Sequence, residues 1–178
     1  MIHLPKDNNP RGVLFMITEA ALRLHSCCFT GHRPEKLGRA ERDISSDIDR
    51  EIRNAITDGY TTYITGMARG VDIWAAEIVL QLRTEGYPIH LACAIPHPGF
   101  EKKWSQAWQQ RYRNICSQAD LVHVISNGYH PGVYQRRNRW MVDHSARVIA
   151  VYTGQPGGTK NTIDYAVRMG VPVHQIRG

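Results

Sequence analysis

The chain has 178 residues, 42% of them hydrophobic and 21% charged, and 22 Lys and Arg against 16 Asp and Glu leave a formal net charge of +6 with a pI near 9.3. That length suits one ordinary domain with a real core, and the net charge is far too small for a disordered tail. No run approaches the roughly 18 apolar residues of a membrane span, which excludes a transmembrane role.

The longest early apolar stretch, residues 12–24, is broken by Glu19 and Arg23 and lacks a small-residue cleavage site. Residues 1–23 therefore read as an N-terminal extension with a short helix, and 24–178 as a single domain. From residue 24 onward, β-branched and apolar runs alternate with helical patterns. Strands are predicted over 24–30, 61–65, 88–94, 121–125, 148–152 and 172–176; their apolar runs suit strands covered on both faces of a parallel sheet. Between them, Ile44, Ile48, Ile52 and Ile56 recur at i+4, and Val71, Trp74, Ala75, Ile78, Val79 and Leu82 form a second helical stripe. Further helices are predicted over 102–117, 135–145 and 159–169. Strand then helix, repeated, implies an α/β domain of the Rossmann-like, doubly wound kind, with a mostly parallel sheet of five to six strands and helices on both faces.

Cys27, Cys28, Cys93 and Cys116 contain no C-x-x-C pair and read as small buried hydrophobes of a reducing cytoplasm. The nine histidines fall singly, without ligand spacing, so no metal site is expected.

In a doubly wound sheet a ligand sits beyond the carboxyl ends of the strands, so the residues after each strand carry the functional information. Thr30-Gly31-His32-Arg33-Pro34 follows the first: Gly31 permits close backbone approach, Arg33 can fork onto a phosphate or carboxylate, and a solvated tight turn is the alternative. Gly66-Met67-Ala68-Arg69-Gly70-Val71-Asp72 follows the second and runs into a helix. Its glycines suit an anion cradle at the positive helix end, and Asp72 is placed to stabilise that end or to accept from a ribose hydroxyl. The motif is neither a Walker loop nor G-x-G-x-x-G.

After the third strand, Pro96 and Pro98 fix a loop around His97. Trp104, Trp108 and Tyr112, at i, i+4 and i+8, offer a platform for a base or a core-packed helix face, the second being the better reading for Trp108. Arg136, Arg137, Asn138 and Arg139 open the next predicted helix, where cations oppose the macrodipole unless an anion is near. Gly157-Gly158-Thr159 opens the last helix and suits a phosphate. Residues 101–147 hold eight Lys and Arg against three acids, so most of the positive excess falls on a segment expected to flank the ligand mouth.

Together, T-G-H-R-P (30–34), G-M-A-x-G-V-D-x-W-A-A-E (66–77), A-I-P (94–96), Y-x-x-R-N-R-x-M-V-D (134–143) and A-V-Y-x-G-x-x-G-G-T (150–159) closely resemble the YpsA-like family of bacterial and phage proteins, within the Rossmann-like SLOG superfamily. The resemblance runs in order through nearly all of 26–176. It implies a nucleotide or a nucleotide-derived ligand such as NAD or ADP-ribose, no required cofactor, a role in stress or phage conflict, and a homo-oligomer. The binding residues it points to are Thr30, Gly31, His32, Arg33, Gly66, Met67, Ala68, Gly70, Asp72, Pro96, Trp104, Arg137, Asn138, Gly157, Gly158 and Thr159.

Two alternatives come with the superfamily. LOG phosphoribohydrolases cleave the N-glycosidic bond of nucleoside monophosphates; here Pro156-Gly157-Gly158-Thr159 lacks their second glycine and following Glu, which leaves Glu77, displaced toward Arg137, or Asp72 as the catalytic carboxylate. The 66–72 stretch is also similar to that of the DNA-processing protein DprA, which makes single-stranded DNA a second-choice partner.

Overall fold

A computed structural model describes residues 19–178. The predicted extension before residue 19 lies outside them, and its end, Glu19–Leu24, forms the short helix α1. There follow β1 (Ser26–Gly31), α2 (Glu41–Thr57), β2 (Thr62–Thr65), α3 (Val71–Thr84), β3 (His90–Ile95) and α4 (Gln106–Cys116). The chain ends with β4 (Leu121–Val124), α5 (Val133–Asp143), β5 (Arg147–Tyr152), α6 (Gly158–Arg168) and β6 (Val173–Arg177).

The six strands form one sheet in the order β4-β3-β2-β1-β5-β6, parallel throughout. The chain steps outward from β1 to β4 and then returns to place β5 on the other side of β1. The switch point therefore lies between β1 and β5, where Phe29 pairs Ile149 and Thr30 pairs Ala150.

Strand alternation divides the core in two. Cys27, Phe29, Tyr63, Leu91, Cys93, Ile149 and Val151 pack with α2, α3 and Ile115 of α4. Cys28, Ile64, Ala92, Ala94, Val148 and Ala150 pack instead with Met141 and Val142 of α5 and Ile163 and Ala166 of α6. Ile44, Ile48 and Ile52 are fully buried, at about 1.5–3 kcal/mol each, which fastens α2 to the sheet; Ile56 is only partly covered.

Three expectations change. The strand β4 lies at the sheet edge and exposes Leu121, Val122 and Val124, so its apolar run does not mean burial on both faces. The fourth helix begins at Gln106, leaving Trp104 in the preceding turn. The fifth begins at Val133, after the left-handed Gly132, so Arg136 and Arg137 sit about a turn inside it and not at its positive end.

Candidate ligand-binding site

Beyond the carboxyl ends of β1, β2 and β5 lies a cavity of about 840 Å³, near the upper end of the usual range for small-molecule sites. Its floor is built by two turns locked together. Gly70 adopts a positive φ of 91°, and a Cβ there would stand 2.7 Å from Pro34 Cδ, so only glycine lets the turn after β2 close on the Thr30–Pro34 loop. At the rim Arg69 joins Glu35 at 3.0 Å.

Gly31 has a packing role: a Cβ would lie 2.5 Å from Val71 Cβ, so its small size admits the first residue of α3. Met67, fully buried, is the one non-glycine residue at positive φ (60°) among the described residues, which marks this turn as strained.

The turn is held from within. Thr65 Oγ1 donates to the Asp72 carbonyl at 2.8 Å and accepts from the Met67 amide at 3.2 Å, and Asp72 Oδ2 accepts from the Ala68 amide at 3.1 Å. Across the sheet top Arg137, 6% exposed, donates Nη1 to the Gly66 carbonyl and Nε to Asn138 Oδ1 at 2.8 Å. Its Nη1 stands 3.8 Å from Asp72 Oδ2. Any Cβ on Gly66 would collide with this guanidinium, so the glycine makes room for an arginine. Burial pushes the Asp72 carboxyl above its ordinary range and Arg137 below its own, and each charge opposes the other's shift.

A second wall of the cavity is built by the start of α6. Gly157 precedes α6 with a φ of 143°, and no side chain caps the helix. The first-turn amides of Gly158 and Thr159 have no partner within the helix, and both residues line the cavity. Arg33, Lys36, Arg69, Lys103 and Arg137 line it against Glu35 and Asp72. Pairing consumes Arg69 and Arg137, which leaves Arg33, Lys36 and Lys103 without an ion pair among the described residues. His32, 4% exposed, stacks on Tyr152 with centroids 5.6 Å apart; burial and then Lys36 lower its pKa, favouring neutral imidazole.

Thr30, Gly31, His32, Arg33, Ala68, Asp72, Trp104, Arg137, Asn138, Gly157, Gly158 and Thr159 are thus brought to one cavity. Gly66, Met67, Gly70 and Pro96 do not line it; the first three build its floor from behind, and Pro96 is buried. Of the expected phosphate cradle at 66–70, the amides of Met67 and Ala68 are engaged within the turn by Thr65 and Asp72, while Ala68 and Arg69 line the cavity.

Glu77 is also absent from the cavity. Arg111 grips it in bidentate fashion, at 2.8 Å to Oε1 and 2.6 Å to Oε2, so it is neither a catalytic carboxylate in this site nor a partner of Arg137. Nor does the charge excess of 101–147 flank the mouth as a block: Arg111 serves Glu77 and Glu41, and Arg147 pairs Asp58 at 2.8 Å. Sequence reasoning missed Lys36, Lys103, Phe100 and Tyr134. Lys36 follows Arg33 by three residues in a 3-10 turn, and Lys103 adjoins Trp104, which are the signals that would have found them.

Among the described residues no helix is long and apolar enough to cross a membrane, and no cluster of three His, Cys, Asp or Glu forms a metal-binding group. The family model of YpsA, described as the YspA SLOG family, matches residues 27–171. A UPF0398 protein of Shouchella clausii is 31% identical over 145 residues, covering 76% of this chain and 77% of its own. One from Oceanobacillus iheyensis is 28% identical over 144 residues, covering 76% and 78%.

Among solved structures, DNA processing protein A of Streptococcus pneumoniae superposes with a TM-score of 0.63 at 18% identity over 88% of this chain, which spans about half (52%) of that protein. The Helicobacter pylori protein, solved for its single-stranded DNA binding mode, gives 0.65 at 18% identity over 90% of this chain and 68% of its own. These two likenesses concern the fold. With the family model spanning the sheet from β1 to the approach to β6, the chain belongs to the YpsA family of the SLOG superfamily.

Proposed function

We propose that this protein binds a nucleotide or nucleotide-derived ligand, of the AMP, NAD or ADP-ribose kind, in the cavity at the β1/β5 switch point. The observation that carries the reading is the meeting of the uncapped α6 N-terminus with three cations that have no ion pair among the described residues, Arg33, Lys36 and Lys103, in one cavity of about 840 Å³. Backbone amides at a helix start and nearby cations are what a phosphate requires. The ligand's phosphates would meet Gly158, Thr159, Arg33 and Lys36, and its sugar would lie toward Thr30 and His32. Four free cysteines, three of them buried, suit action in a reducing cytoplasm. Self-association, implied by the superfamily, belongs to the same reading and is read by light scattering after size exclusion.

A thermal-shift panel of AMP, NAD, ADP-ribose and cyclic nucleotides tests the reading: a ligand at 100 times its Kd stabilises by about 2.7 kcal/mol. A flat panel sinks it. Single-stranded DNA is the second reading, favoured by the fold shared with the DprA proteins. It requires an affinity that falls steeply between two salt concentrations in a gel shift. An N-glycosidic hydrolase reading rests on Asp72 alone, since Glu77 is held outside the cavity. Release of free base from AMP, lost in Asp72→Asn, would establish it.

A further inference from the structure

The cavity is also lined by aromatic rings. The loop after β3, α4 and the start of α5 with the loop before it bring a connected set of rings together. Trp104 meets Phe100 edge-to-face at 5.1 Å, and Tyr112 braces both, at 5.6 Å from Phe100 and 6.0 Å from Trp104. His97 then bridges Phe100 at 6.1 Å to Tyr134 at 6.1 Å and Tyr129 at 5.7 Å.

Phe100, Trp104 and Tyr134 line the cavity. Tyr129 is 68% exposed and Tyr134 41%, although aromatic surface of that size is costly to leave in water. His97 touches both Phe100 and Tyr134 and so joins the Phe100–Trp104 pair to Tyr134. Gly158, Thr159, Arg33, Lys36 and Lys103 line the same cavity. The cavity therefore offers two kinds of lining, amides and cations on one hand and aromatic rings on the other.

We infer that the Phe100–Trp104–Tyr134 set is a base subsite, which recognises a purine by stacking while the cavity's amides and cations hold the phosphate. This inference rests on the proposed nucleotide reading and adds the part of the ligand that decides selectivity. The discrimination expected of these rings is by stacking area: a purine binds more tightly than a pyrimidine, and both more tightly than a sugar phosphate without a base.

The test is isothermal titration of AMP, CMP and ribose 5-phosphate against the wild type, Trp104→Ala, Trp104→Phe and Tyr134→Ala, with circular dichroism confirming the fold of each. Stacking of one base corresponds to about 5- to 150-fold in affinity. Trp104→Ala and Tyr134→Ala are each expected to weaken AMP within that range, to leave ribose 5-phosphate unchanged, and Trp104→Phe to retain most of the AMP affinity.

Tyr134, being exposed, keeps the test alive should Trp104→Ala fail to fold. Equal affinity of the wild type for AMP and ribose 5-phosphate overturns the base subsite while leaving the phosphate site standing. An equal loss of both ligands in a folded Tyr134→Ala variant also overturns it. Binding of none of the three overturns the nucleotide reading and this inference together.

Discussion

Replacing Arg137 by Met probes the element on which the whole cavity depends. The substitution keeps the apolar stem and removes the guanidinium with its charge, leaving the Asp72 carboxylate, 7% exposed, facing a space without a counter-ion. It also strips the Gly66 carbonyl of its guanidinium donor and Asn138 of its partner. Breaking a buried pair from one side typically costs about 3–5 kcal/mol, because the surviving charge keeps its desolvation penalty. In a chain of this size each kcal/mol moves Tm by roughly 2–4 °C, so Arg137→Met is expected to lower Tm by about 6–20 °C.

Urea denaturation reads the free energy, and an unchanged m-value shows that the two-state comparison holds. Asp72→Asn keeps an acceptor for the Ala68 amide while removing the charge, so in the double variant Arg137→Met no longer strands a carboxylate. The cycle should show a coupling of at least about 1 kcal/mol, within the range for residues in direct contact. A single variant within about 0.5 kcal/mol of the wild type, or strict additivity in the cycle, would refute the role given to the pair.

Other expectations follow from the same geometry. Gly31→Ala forces a methyl to 2.5 Å from Val71 Cβ and is expected to cost about 1–3 kcal/mol, whereas Gly128→Ala, with nothing within 4 Å, serves as a near-neutral control in the same melt. In Met67→Gly the relief of left-handed strain, about 1–2 kcal/mol, competes with loss of a fully buried side chain, about 2–5 kcal/mol. Loss of packing wins, so this variant melts lower; a higher Tm would mean that strain dominates.

His32 has a folded-state pKa below its unfolded value near 6.5, so the unfolded state binds more protons in that window. Its contribution is intact above about pH 6.5 and is lost as pH falls through the folded value. The difference in stability between wild type and His32→Gln should therefore shrink from pH 7.5 to pH 5, and a constant difference would exclude it. Cys116, half-buried, with its thiol pKa lowered first by the Cys93 hydrogen bond, should react first with a disulfide reagent in the native state. Cys27 and Cys28, whose thiols burial pushes up, should wait for unfolding, which mass spectrometry of labelled peptides will show.

The sheet was legible because its signals are local. Apolar runs of strand length and the i+4 isoleucines of α2 are written in consecutive residues, and the fold class follows from their alternation. The edge position of β4 is not local: Leu121, Val122 and Val124 look like a buried strand until the pairing order is known. Turn chemistry misled in the same way. Gly66 and Gly70 do need to be glycines, yet the bodies that exclude a Cβ are Arg137 and Pro34, distant in sequence, and not a phosphate. Glu77 pointed to catalysis only while its partner was unknown, since Arg111 lies 34 residues away on α4. What the strand ends did reveal is which loops converge, because the carboxyl ends of parallel strands share one side of the sheet by construction.

The central claim, that a phosphate-bearing nucleotide occupies the switch-point cavity, is tested most directly by an amide-resolved NMR titration with AMP and ADP-ribose. The account predicts saturable shifts at Gly31, His32, Gly158 and Thr159, with Gly59 and Gly86, which follow α2 and α3, left unmoved. Saturation without movement of the Gly158 and Thr159 amides, or no saturable shift with either nucleotide, would contradict it.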